Sequence, residues 1–175
     1  MVPSPPTFPP IWIARSRVAG SVIVVSSVLL TSILPPPLIH TAPNVRRRDD
    51  GGYDPLCIGT TTSARMVRFT EPLGAQYGVR AICGKGGLPD EAIEPMHELG
   101  MVYLAIVGGA AALETTQIEE IEEVAWEELM PECLWRFRVR DFGPLTVGID
   151  AHGNSLYRDV QTRATAKLEE LYARL

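Results

Sequence analysis

Cysteine is scarce in this chain: there are three in 175 residues, Cys57, Cys83 and Cys133, far apart and with no C-x-x-C pair. That spacing argues against a disulfide framework or a zinc site and suits buried thiols in a reducing compartment. A three-cysteine iron–sulfur site stays open by count, although each cysteine falls in or beside an expected strand rather than in a ligand loop. Basic charge is also short. Sixteen Lys and Arg face 21 Asp and Glu, a formal net charge of −5, which leaves no basic face for phosphate contacts and excludes nucleic acid as an expected partner. The one basic run, Arg46 to Arg48, meets Asp49 and Asp50 at once and reads as a solvated turn. Histidine numbers three. His40 and His97 are expected at the surface and His152 in an A-H-G-N turn, and no Ser–His–Asp or metal-ligand spacing connects them. The glycine stretch Cys83 to Gly87, "CGKGG", lacks the spacing of a Walker phosphate loop.

Proline, by contrast, is plentiful and uneven: nine of the 15 precede Asn44. Residues 1–37 therefore read as a leader distinct from the domain at 38–175. Its start is proline-rich and expected to be unstructured. Arg15 and Arg17 then precede Val18–Leu34, an uncharged stretch at the short limit for a membrane helix. A β-branched run of this kind equally suits one or two buried strands. The membrane reading is the minority one, and a cytoplasmic chain is expected.

From Leu38 the pattern is α/β. Strands are expected at Asp54–Gly59, Val79–Gly84 and Met101–Gly109. Helices are expected within Thr60–Tyr77, over Leu88–Gly100 with Asp90 as its cap, and in a short small-residue segment at Ala110–Thr116. Alternating segments after Ile118 read as sheet, with the acidic string Glu119–Val124 as a solvated loop and strand start. The chain ends in an amphipathic helix with Leu168, Leu171 and Leu175 on one side. Strands alternating with helices imply a mostly parallel sheet with glycine-rich ligand loops at the strand carboxyl ends, namely Gly59–Arg65, Gly84–Gly87 and Gly108–Gly109.

The first of these loops is the most telling. "GTTTSAR", Gly59 to Arg65, crowds four hydroxyls against a cation where a helix begins. Thr61, Thr62 or Ser63 can serve as a cap, yet free N–H groups beside a guanidinium also form a clamp for a carboxylate. In the second loop Gly84, Gly86 and Gly87 allow close backbone approach to a ligand, and Lys85 adds a charge.

Together "IGTTTSARM", "CGKGG", "VYLAIVGGAAAL" and the segment from Ile118 through "FGPLTVGIDAHGN" resemble the β subunit of class I iron–sulfur hydro-lyases. In that family L(+)-tartrate dehydratase and class I fumarase share a C-terminal domain. The likeness runs from about His40 to Tyr157. It implies a swivelling β/β/α domain that acts with an α subunit, is not active alone, and adds or removes water on a small hydroxydicarboxylate. It also implies that the [4Fe–4S] cluster is held by the α subunit, so that none of the three cysteines is a ligand and this chain holds no metal. A heterotetramer of two α and two β subunits is the family-based expectation. By matching position Thr61 would be the catalytic base and Lys85 a second catalytic cation. Arg65 would clamp a substrate carboxylate, with Thr62, Gly84 and Gly86 lining the substrate.

The chain departs from the family pattern in three places. Thr60 stands where proline is usual, and a glycine is missing between Leu129 and Met130. The Arg-Asp-x-x-His segment expected about fifty residues before Arg65 is replaced by "IARSRVAGSVIVVSSV". A shifted reading frame, a non-catalytic paralogue that keeps the partner surface, and a true membrane leader each account for that replacement.

Overall fold

The computed structural model describes residues 22–23, 37–106, 108, 111–130 and 133–174. Its strands are β1 (Val22–Ile23), β2 (Leu38–Ile39), β3 (Asn44–Arg47), β4 (Tyr53–Cys57), β5 (Ala81–Gly84), β6 (Val102–Ala105), β7 (Ile118–Ala125), β8 (Leu134–Val139) and β9 (Leu145–Ile149). Its α-helices are α1 (Thr70–Tyr77), α2 (Ile93–Glu98), α3 (Ala111–Thr116) and α4 (Leu156–Tyr172). Most of the leader reading at 1–37, including the proline-rich start and nearly all of Val18–Leu34, lies outside the described residues. Within it, Val22–Ile23 is a strand paired with Leu145–Thr146. Among the described residues no helix is long and apolar enough to cross a membrane.

The central sheet has five strands in the order β1-β9-β6-β5-β2. The expectation of a mostly parallel sheet is corrected here: β2, β5 and β6 run parallel, but β9 and β1 are antiparallel additions. The segment from Ile118 onward is the cause, because its hairpin β7–β8 leaves the sheet before β9 returns beside β6. The expected Asp54–Gly59 strand is β4, which pairs with β3 in a separate hairpin. Asp90 is not a cap: Pro89 holds that position and no side chain bonds the free N–H groups. The acidic string is strand throughout. Its carboxylates meet β8, with Arg136 bridging Glu122 and Glu123 and Arg138 bridging Glu120.

Strand alternation sorts two cores, because neighbouring side chains leave a strand on opposite faces. Leu38, Ile82, Tyr103 and Ile149 face one side, where Leu73 of α1 and Ile93 and Met96 of α2 cover them. Ile39, Cys83, Leu104 and Leu145 face the other, closed by Ile58, Ala111 of α3 and Ile118 and Phe137 of the β7–β8 hairpin. Helix α4 is different. Ser155 caps it by accepting from the Arg158 N–H at 3.3 Å, and Tyr157 docks on the core edge-on to Tyr103. Beyond that turn every described residue is exposed, Leu168 and Leu171 among them at 50% each. Leu175 lies outside the described residues.

Tyr157 seats where Gly87 and Gly148 have no side chains. A Cβ on Gly148 would meet the Tyr157 ring at 2.7 Å and Tyr103 at 3.0 Å. Gly148→Ala is therefore expected to lower unfolding free energy by about 1–3 kcal/mol through overpacking, read by urea denaturation; an unchanged midpoint would contradict this packing.

Candidate functional site

The three parallel strands end at one edge of the sheet, and each hands the chain to a loop there: β2 to His40, β5 to Lys85 and β6 to Ile106. The segment Thr60–Ser63 lies across the first two of these ends. Thr60 bridges Thr41, Thr61 N–H donates to the His40 carbonyl at 3.0 Å, Thr62 bridges Lys85, and Ser63 N–H donates to the Lys85 carbonyl at 2.9 Å. The turn into it depends on Gly59. Its φ is +60°, and a Cβ there would lie 2.2 Å from the Ala42 carbonyl oxygen, a conformation and a space that suit glycine alone.

The expected site residues are therefore brought together, but not all in the expected roles. Thr61 is half-buried, and its Oγ1 accepts from Arg65 Nη2 at 2.6 Å, with the guanidinium otherwise exposed. Lys85 is half-buried between the two loops, and Gly86 lies against Thr62, where a Cβ would sit 3.4 Å from Cγ2. Gly84 is buried, and its empty side-chain position is filled from within: a Cβ would fall 1.9 Å from Ser63 Oγ. The threonine-rich stretch does not cap. Ser63–Phe69 is a 3-10 helix whose N-cap, Thr62, makes no side-chain capping bond, and the Thr61 and Ser63 hydroxyls bond elsewhere. Gly108 forms a turn, and Gly109 is outside the described residues.

Two titratable groups escaped the sequence. His40, expected at the surface, is only 8% exposed; its Nδ1 lies 3.0 Å from Ser63 Oγ, and burial holds its pKa below the ordinary value. The signal was present in its place directly after a short apolar strand. Glu114 gave none, being one carboxylate in a small-residue helix. It is fully buried, neither oxygen has a hydrogen-bond partner among the described residues, and burial raises its pKa. Its neighbour Cys83 is pushed up to about 12 by burial and then by Glu114.

Among the described residues no three His, Cys, Asp or Glu gather as a metal site. The described part of this chain thus does not fit an iron–sulfur cluster. A groove of about 370 Å³ lies beside α1, lined by Leu38, Met66, Phe69, Leu73 and Tyr77; it touches the loop cluster only through His40. Arg65 is exposed and Thr61 and Lys85 are half-buried, and none of the three lines that groove.

Glu114 gives a sign that can be checked. Its folded pKa lies above its ordinary 4.5, so its unfavourable contribution is absent below pH 4.5 and grows as pH rises through the folded value. Glu114→Gln should match the wild type in acid and become the more stable protein toward neutrality. Chemical denaturation at pH 4, 5.5 and 7 reads this, and parallel pH profiles would refute it.

The family model described as Fumarase C-terminus matches residues 40–160. L(+)-tartrate dehydratase subunit beta of Escherichia coli (strain K12) is 43% identical over 120 residues, covering 68% of this chain and 59% of the relative. A Methanocaldococcus jannaschii protein provisionally named as the same subunit is 39% identical over 136 residues, 77% of this chain and 69% of its own. A Geobacillus stearothermophilus protein provisionally named class I fumarate hydratase is 34% identical over 134 residues, 76% of this chain and 26% of the relative. This chain thus aligns with about 59% of the length of the Escherichia coli subunit.

Proposed function

Because the chain belongs to the fumarase C-terminus family, we propose that it is the β subunit of a hydro-lyase that adds or eliminates water on a small hydroxydicarboxylate, with L-tartrate to oxaloacetate or malate to fumarate as the candidate reactions. The observation that carries this reading is the 2.6 Å contact between Thr61 and Arg65, held beside Lys85 by the Thr62–Lys85 bridge. A planar guanidinium beside a hydroxyl is suited to grip a carboxylate while the hydroxyl faces the carbon next to it.

On this proposal Arg65 and Lys85 bind and orient the dicarboxylate. Thr61 Oγ1 takes the proton from the carbon adjacent to the leaving hydroxyl, and the two cations favour the alkoxide form that makes threonine a workable base. Thr62 and Gly86 shape the same wall. Gly84 acts from behind, by admitting Ser63. An α subunit supplies the [4Fe–4S] cluster, which when bound provides Lewis-acid chemistry at the leaving hydroxyl. The sheet edge that carries Thr61, Arg65 and Lys85 is the face that subunit would close, by swivelling of this domain against it, and its absence would leave this chain inactive alone. The cytoplasm, where such a cluster is kept reduced, is the proposed compartment.

A second reading rests on one feature of the sequence. The missing Arg-Asp-x-x-His segment favours a non-catalytic or membrane-tethered paralogue that keeps the partner surface. Anaerobic co-expression with the α subunit, followed by assays on L(+)-tartrate, malate and fumarate, separates the two. The hydro-lyase reading expects turnover that Thr61→Ala lowers by about 10²–10⁴-fold, and an Arg65→Lys variant whose main defect is a raised KM. A cluster-loaded complex without turnover would support the paralogue.

A further inference from the structure

Behind the Thr61 loop lie three polar side chains that the proposed chemistry does not use. Ser63 and Tyr103 are fully buried, and His40 nearly so. Tyr103 O–H donates to Ser63 Oγ at 2.9 Å, and Ser63 Oγ lies 3.0 Å from His40 Nδ1. Counting donors sets the direction of this chain. Tyr103 stays protonated, because burial raises its pKa well above the ordinary range, and donates a hydrogen bond to Ser63. Ser63 then has one proton of its own to place, and His40 Nδ1 is the remaining acceptor among the described residues. If Nδ1 carried the hydrogen instead, Ser63 would receive two donors and its own buried O–H would be left without an acceptor, an unfavourable arrangement.

We infer that Tyr103, Ser63 and His40 form a directional hydrogen-bond chain, Tyr103 to Ser63 to His40 Nδ1, that holds His40 in the Nε2–H tautomer and acts as the positioning device for Thr61 and Lys85. The coupling to the site runs through backbone. The same His40 whose ring accepts from Ser63 gives its carbonyl to Thr61 N–H and its N–H to the Cys83 carbonyl, while Ser63 N–H holds the Lys85 carbonyl. Shifting either side chain moves both loops at once. Gly84 is what lets Ser63 come this close. None of the three touches substrate on this assignment, which rests on the hydro-lyase reading only for its catalytic consequence.

The tautomer can be read without turnover. In the full-length chain labelled with ¹⁵N, His40 should show an unprotonated Nδ1 and a protonated Nε2 at pH 7.5, and Tyr103→Phe should speed amide exchange at Thr61 and Ser63. A protonated Nδ1, or unchanged exchange, overturns the inference. In the complex with the α subunit, Tyr103→Phe is expected to lower kcat about ten-fold or more with KM within about two-fold, because misplacement penalises proton transfer more than carboxylate grip. His40→Asn, whose side-chain oxygen can replace Nδ1 as acceptor, should keep most of kcat where His40→Leu loses it. Equal losses in Asn and Leu variants of equal thermal stability would contradict positioning through Nδ1. A wild-type complex without turnover would sink the hydro-lyase reading and leave the tautomer and exchange measurements to decide the hydrogen-bond chain.

Discussion

The close approach of Ser63 to the backbone of Gly84 is the constraint on which the site depends. A glycine at the end of β5 leaves a void on the α1–α2 face of the sheet, and the Ser63 hydroxyl fills it. That contact draws the threonine-rich loop down onto the carboxyl ends of β2 and β5, where backbone bonds to His40 and Lys85 fix it. Arg65, two residues farther on, is then within reach of Thr61. The rest follows from parallel strand geometry, which delivers successive loops to one edge.

Much of this arrangement was legible from local pattern. The apolar runs at Ala81–Gly84 and Val102–Ala105 have the length and composition of buried strands, and the positions of Gly59 and Gly84–Gly87 mark the loops between them and the helices. Partnering was not legible. Alternation in Leu145–Ile149 encodes a two-faced strand but not its direction, so the antiparallel placement of β9 beside β6 depended on the hairpin that precedes it. For the same reason Tyr53–Cys57 reads like a sheet strand although, among the described residues, it pairs only with Asn44–Arg47.

Within the site, cationic residues were easier to find than buried polar ones. Arg65 and Lys85 announce themselves by charge in glycine- and threonine-rich loops. Ser63 looks like one more capping hydroxyl until the Gly84 void is known, and His40 looks like a surface residue until β2 is placed against β5. Glu114 contradicts its local context: a fully buried carboxyl with no partner among the described residues is costly. It stands away from the Thr61 loop, on the Cys83 side of the sheet.

The most direct test of the loop as the catalytic element is Gly84→Ala in the complex with the α subunit. The substitution leaves Thr61, Arg65 and Lys85 unchanged but takes the space that Ser63 occupies. If the loop owes its catalytic geometry to that space, the complex should still assemble while turnover of hydroxydicarboxylate falls by about 10²-fold. Assembly with full turnover would contradict it.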